Sequence, residues 1–319
     1  MSKYLVTGGA GFIGSHIAER LLREGHDVTA IDDFSTGKEE NIEAIRRNGG
    51  KTGSLEVVRG DIRDESILRT ALTGVEYVFH EAALCSVQRS VVDPVSTNSV
   101  NVTGTLLLLK LARDAGVKRL VYASSSSVYG NGAELPNREN MRTNPASPYA
   151  LSKFTGEEYC RLFSSVYGLE TVSLRYFNVF GPRQDANSQY AAVIPIFMAH
   201  VLAGESPVIF GDGEQTRDFT FVDDVVEANV LCSRRDGISG RAYNIARGNR
   251  KTLNELVKSL RTVSGLKFEP EYAEPRPAEV RNSEADTSKA EKELSFKARV
   301  GFDEGLTKTF LWFKTQLKT

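Results

Sequence analysis

Cysteine, histidine and tryptophan are scarce in this 319-residue chain, at three, four and one copies. Cys85, Cys160 and Cys232 stand far apart, without the paired spacing of a zinc site or a disulfide framework. Such usage fits a reducing cytoplasm. His16, His26, His80 and His200 are equally scattered, so no metal is assigned. Neither sign of charge is in excess: 40 Lys and Arg against 41 Asp and Glu leave a net charge of −1. That balance speaks against nucleic acid or an anionic membrane as a partner. No apolar run is long enough to span a bilayer. The N-terminus leads straight into a strand, so neither a signal peptide nor a transmembrane helix is expected.

What the chain does have is a run of hydroxyls, Ser124-Ser-Ser-Ser-Val-Tyr-Gly130, followed by Tyr149-Ala-Leu-Ser-Lys153. A tyrosine and a lysine four apart share one helix face. A free phenol titrates near 10, too high for a base at neutral pH, and a cation beside it favours the phenolate. The pair reads as a tuned general base, with serine hydroxyls to hold a substrate oxygen against it. Alone, the spacing also fits an interfacial tyrosine beside a solvated lysine.

The pair does not stand alone. Tyr4-Leu-Val-Thr-Gly8-Gly-Ala-Gly11-Phe12-Ile13-Gly14 is an apolar strand running into a glycine-rich turn and then a helix. Such a turn lets backbone approach a pyrophosphate, and the helix N-terminus offers N–H groups to it. A second strand, Asp27-Val-Thr-Ala-Ile31, ends in Asp32-Asp33. A carboxylate there suits ribose hydroxyls and repels a 2′-phosphate, so NAD is expected rather than NADP.

Strand and helix patterns alternate through the first half, which predicts a doubly wound parallel sheet, the Rossmann architecture of an α/β protein. Strands are expected at about 3–7, 27–32, 55–60, 75–80, 118–124 and 170–176. Helices are expected at about 12–24, 39–47, 64–72, 93–115 and 148–167. After Asn178 the pattern changes to helices at about 190–203, 223–234, 252–264 and 303–318, with strands at 208–210, 218–222 and 242–246. Residues 1–178 therefore read as the cofactor domain, with segments near 215–240 returning to it. Residues 179–319 read mainly as a smaller α/β substrate lobe.

These motifs together resemble the extended short-chain dehydrogenase/reductases, specifically nucleotide-sugar 4-epimerases. The matching segments are Thr7–Gly14, Asp61-Ile62, His80-Glu-Ala-Ala83, Asn101, the serine run, Tyr149/Lys153, Leu174-Arg-Tyr-Phe-Asn178, Gly211-Asp-Gly213, Arg217-Asp218 and Arg276-Pro277. The resemblance spans essentially the whole chain and looks strongest to the UDP-N-acetylglucosamine 4-epimerases. It implies Tyr149, Lys153 and Ser125 as the catalytic set. It implies an NAD site formed by the glycine turn, Asp32, Asp33, Phe34, Ser35, Thr36, Gly37, Asp61, Ile62, Ala82, Ala83, Asn101, Tyr149, Lys153 and Tyr176. Asp61 could equally be a helix N-cap, and Asn101 resembles either a structural or a nicotinamide-side residue. For the UDP-sugar it implies Ser86, Ser125, Ser126, Ser127, Tyr149, Asn178, Ala192, Val193, Arg217, Arg276 and Ser283.

The implied reaction moves a hydride off C4 of a UDP-sugar and back to its other face. A small residue at Ser283, seven after Arg276, would leave room for a 2-acetamido group, although Cys85 replaces an expected glycine. UDP-glucose 4-epimerisation is the alternative. A 4,6-dehydratase needs an acidic pair where this chain has Ser126 and Ser127, and a non-catalytic NAD sensor would not need the catalytic set. The helices carrying Leu106–Leu111 and 148–167 are expected to form a two-fold homodimer bundle, as in the family.

Overall fold

Short β-branched and aromatic runs form strands here because helices cover both faces of the sheet they build. The computed structural model describes residues 1–50, 52–132, 134–186, 191–275 and 281–316. In its first half, β1 (Lys3–Thr7), β2 (Asp27–Asp32), β3 (Leu55–Arg59), β4 (Tyr77–His80), β5 (Arg119–Ser125) and β6 (Glu170–Tyr176) alternate with helices. Those helices are α1 (Phe12–Arg23), α2 (Glu39–Asn48), α3 (Glu65–Ala71), α4 (Val87–Val92), α5 (Pro94–Asn98), α6 (Thr105–Asp114) and α7 (Pro148–Tyr167). The second half holds β7 (Val179–Phe180), α8 (Val193–Ala203), β8 (Val208–Phe210), β9 (Thr216–Asp218), β10 (Thr220–Phe221) and α9 (Val222–Arg234). It continues with β11 (Arg241–Ile245), β12 (Arg250–Thr252), α10 (Leu253–Ser264), β13 (Glu271–Ala273), α11 (Ser288–Leu294) and α12 (Phe302–Gln316).

Seven strands make the central sheet in the order β11-β6-β5-β4-β1-β2-β3, all parallel. This is the expected doubly wound α/β fold. The strand order reverses between β1 and β4, and ligands in such sheets bind in the crevice at that switch point. The last strand comes from far along the chain: β11 pairs with β6, and α9 packs against α1 and β5.

Several expected elements differ in detail. The strand expected at 218–222 is split into β9 and β10, and Val222 already begins α9. Asp218 turns the chain there: its carboxylate accepts the N–H groups of Arg247, Gly248 and Ala285. The long helix expected at 93–115 is broken in its middle by a π-turn, Ser99–Gly104, between α5 and α6. Such turns accumulate at functional sites. The short helices α4 and α11 have no counterpart among the expected elements. The leucine run of α6 is covered as its pattern demands: Leu108, Leu109 and Leu111 are buried in a cluster with Leu68, Leu120 and Phe163.

Candidate active site

The cleft at the switch point is shaped first by glycine. Gly8 has φ +68, and a Cβ there would stand 2.9 Å from the Ala82 nitrogen. At Gly14 a Cβ would stand 2.2 Å from the Gly8 carbonyl oxygen. Gly11 caps α1 without a side-chain hydrogen bond, so the first N–H groups of Phe12, Ile13 and Gly14 remain for an anion. Asp32 closes the cradle: it accepts the Ala10 N–H at 2.9 Å and the Phe34 N–H at 2.8 Å. A Cβ on Gly37 would fall 2.6 Å from its carboxylate. Burial raises the Asp32 carboxyl above its ordinary value against those backbone bonds. Asp33 accepts from the Ser35 N–H and hydroxyl, and Thr36 continues the same loop. The Arg59 guanidinium lies 4.0 Å from the centre of the Phe34 ring. These residues fit a dinucleotide: a bare helix N-terminus for phosphates and a carboxylate at the second strand's end.

Two residues on this side are open to more than one reading in the sequence. Asp61 is not the cap of α3. Asp64 holds that position, accepting from Ser66 and Ile67, while Asp61 grips the backbone and guanidinium of Arg63. Asn101 lies in the π-turn and is fully buried. Its amide accepts from the Leu84 N–H at 2.8 Å and donates to the Leu84 carbonyl and Ser152 hydroxyl at 3.0 Å. With donors and acceptor engaged, its side chain is a strut between the loop after β4 and α7. Ile62 packs in the core cluster beneath. Ala82 donates to the Thr7 hydroxyl, and Ala83 follows it on the cleft lip.

The hydroxyl side is organised by caps. Ser147 accepts the Ala150 N–H and Pro148 occupies the first turn, so α7 starts where Tyr149 faces the cleft. Lys153 follows one turn later, almost wholly buried. Ser125 ends β5 with its hydroxyl on the side of the Tyr149 phenol, which it helps to hold down against burial. Its hydroxyl also accepts from the Ser127 N–H at 3.2 Å and the Ser127 hydroxyl at 2.9 Å, fixing a 3₁₀ turn through Ser126.

The electrostatics differ from the sequence expectation. Burial pushes the Tyr149 phenol well up, and only the Ser125 hydrogen bond opposes it. Lys153 Nζ donates instead to the Ala123 carbonyl at 2.7 Å. In the chain alone, desolvation therefore outweighs the tuning expected from the lysine.

Beneath the site lies a polar floor that motif reading missed. Glu157 is bound twice by Arg175, at 2.9 and 2.8 Å, and by the Ser124 hydroxyl. Arg175 also donates to the Tyr129 hydroxyl at 2.9 Å, which donates to Asn244 at 2.6 Å. His80 is buried between Thr7 and Thr105, each at 2.8 Å. Burial and the Lys153 charge hold its ring neutral, its pKa down to about 3. His80, Ser124, Tyr129 and Arg175 fall inside segments that carry the resemblance, but nothing in their local sequence joins them to Glu157 and Asn244.

On the substrate side, Asn178 is exposed at φ +29, and its side chain has no hydrogen-bond partner among the described residues. Ala192 is the exposed N-cap of α8, and Val193, its first residue, is half-buried against the hydrophobic core. Arg217 Nη1 donates to the carbonyls of Thr216 and Arg281. Ser283 is buried and its N–H bonds the Thr216 carbonyl at 3.2 Å, so it is no exposed loop serine. Ser86 caps α4 through the Arg89 N–H. Arg276 lies outside the described residues. Among the described residues no cluster of three potential metal ligands occurs, and no helix is long and apolar enough to cross a membrane.

A glycine cradle beside the half-buried Tyr149 and the buried Lys153 on a doubly wound sheet defines a dinucleotide-dependent enzyme of the Rossmann class. The model of the NAD dependent epimerase/dehydratase family matches residues 4–246, and the chain belongs to that family. A UDP-glucose 4-epimerase of Mycolicibacterium smegmatis is 40% identical over 319 residues, covering 98% of each chain. A UDP-N-acetylglucosamine 4-epimerase from Methanobrevibacter ruminantium M1, solved with UDP-N-acetylmuramic acid, is 41% identical with a TM-score of 0.93, covering 99% of both chains. A UDP-glucose 4-epimerase of Thermotoga maritima, solved with UDP-glucose, is 39% identical with a TM-score of 0.92, again over 99% of both chains.

Proposed function

We propose that this chain is a UDP-hexose 4-epimerase that interconverts UDP-N-acetylglucosamine and UDP-N-acetylgalactosamine, with UDP-glucose and UDP-galactose as poorer or comparable substrates. The juxtaposition of Tyr149, Lys153 and Ser125 at the end of β5, next to the glycine cradle, carries the reading. Tyr149 takes the proton of the sugar 4-hydroxyl, and Ser125 hydrogen-bonds the same oxygen. When bound, NAD⁺ would supply the hydride acceptor for C4, with the glycine cradle, Asp32 and Lys153 as the residues that would hold it. The chain's other task is to hold the UDP end while the 4-keto hexose turns over. Asn178, the N-terminus of α8, Arg217 and Arg276 are the groups suited to it.

Ser126 and Ser127, held in the 3₁₀ turn, offer no carboxyl for dehydration across C5 and C6. We read residues 179–319 as mainly the substrate lobe, with α9 and β11 belonging to the cofactor side. The exposed Val87, Val91, Val92, Val95, Leu151, Leu162 and Val166 on α4, α5 and α7 suit a second copy of the chain.

The test offers UDP-N-acetylglucosamine and UDP-glucose separately and resolves products by chromatography. A C4 epimer from each is expected, and no epimer from either overturns the reading. Ser283→Tyr should abolish N-acetyl turnover while sparing the plain hexoses. Wild-type epimerisation of UDP-N-acetylglucosamine by that variant removes Ser283 from the sugar site.

A further inference from the structure

Lys153 is a buried ammonium whose hydrogen bond goes to a neutral carbonyl, that of Ala123. A charge so placed requires a counter-charge, because burial disfavours the ionised form. Two carboxylates act on it, Glu81 and Glu157. Glu157 is already matched by the bidentate Arg175. Glu81 has no cation within ion-pair distance among the described residues. It follows β4, and because His80 pairs with Tyr122 on β5, the next residue sits beside Ala123, the one that receives Lys153.

The Glu81 carboxylate is anchored from two further elements. Tyr176, at the end of β6, donates its hydroxyl to Glu81 at 2.9 Å. Asn229 of α9 fixes that hydroxyl, donating to it at 2.8 Å while also donating to the Val225 carbonyl. Three segments distant in sequence thus fix one carboxylate next to the strand position that receives Lys153.

We propose that Glu81, anchored by Tyr176 and Asn229, is a positioning residue that keeps Lys153 cationic beside Tyr149. The proposal rests on the reading of Tyr149 and Lys153 as the catalytic pair. Burial drives the two groups toward neutrality, Glu81 upward and Lys153 downward, and each opposes the shift of the other. The other groups facing the pair are Tyr149, Tyr122, whose ring centre lies 5.1 Å from Lys153 Nζ, Tyr176, His80, Cys85, Cys160, Glu157 and, behind Tyr176, Cys232. His80 is held neutral, and burial pushes the phenols and the Cys160 and Cys232 thiols up. Among the described residues Glu81 is therefore the carboxyl group acting on Lys153 that has no other cation as a partner.

The decisive variant is Glu81→Gln, which keeps an acceptor for Tyr176 and removes the charge. Lys153 should then lose its proton at lower pH. In the pH profile of kcat the alkaline limb should move down by about one unit or more, with KM for the UDP-sugar within twofold of wild type. Glu81→Asp, which keeps the charge, should restore the limb at least in part. A readout without turnover is the ¹⁵Nζ titration of Lys153 in ¹⁵N-lysine-labelled protein, assigned with Lys153→Arg. Its midpoint should fall by the same amount in Glu81→Gln. If that variant does not fold, Tyr176→Phe, which frees the carboxylate and raises it, should move the midpoint the same way by less. A Lys153 midpoint unchanged in the variants overturns the proposal, whatever the enzyme turns over. Turnover surviving in Tyr149→Phe would instead overturn the catalytic reading and leave the titration result standing.

Discussion

The two walls of the cleft are built by different means. The cofactor wall, from Gly8 to Gly37, is mostly backbone: glycines that leave space, a helix end without a side-chain cap, and one carboxylate gripping two N–H groups. The catalytic wall is mostly side chain: Ser125, Tyr149 and Lys153 stand on a floor made by Glu81, Glu157, Arg175, Tyr176, Asn229 and His80. A backbone wall needs room more than chemistry, so a single added methyl should damage it. A side-chain wall needs charges in set places, so isosteric changes should damage it while leaving the fold.

The sharpest test of that contrast is Tyr149→Phe. It removes one oxygen from the side-chain wall and should lower turnover by about 10²-fold or more, with fold and NAD binding retained. Single-turnover kinetics and cofactor content measured together would check it, and near-wild-type turnover would show that the wall does not work through this phenol.

Gly14→Ala addresses the backbone wall. Its Cβ would sit 2.2 Å from the Gly8 carbonyl oxygen, so α1 must shift away from the turn. We expect a stability loss of about 1–3 kcal/mol and a clear loss of NAD affinity. Chemical denaturation and calorimetric titration read the two effects. An unchanged NAD affinity would mean that the cradle is not the phosphate site.

The smallest effect concerns the floor. His80 titrates near 3 in the fold and near 6.5 when unfolded. A histidine depressed in this way contributes stability above about pH 6.5, and that stability is lost as pH falls toward 3. The unfolded chain binds the extra proton, so stability should fall by up to about 1.4 kcal/mol per pH unit for this one group. His80→Gln, compared with wild type by urea denaturation at pH 7, 6 and 5, should show a shallower decline. Parallel declines would mean that His80 is not held neutral by the fold.

The same contrast explains what could be read before the fold was known. The glycine turn, Asp32, the Tyr–Lys pair and the sheet class all depend on spacing within a dozen residues or on periodic burial. The amino-acid sequence by itself determined these, because a helix turn or a strand-to-helix turn places near neighbours without help. It also left residues open at the same range: Asp61 could cap a helix, a place that Asp64 takes, and Asn101 could be structural or a cofactor contact, and it braces Leu84 and Ser152. Here two polar residues competed for one role, and only their neighbours decide which fills it. The tertiary structure alone decided that Glu81 shares a site with Tyr176 and Asn229, 95 and 53 residues apart in sequence along that chain of bonds. It also decided that Ser283 is buried against Thr216 and that β11 completes the sheet. The physical reason is that strand register and crossover packing, not local propensity, bring such distant groups together. The cost of burying each charge then fixes which of them must meet.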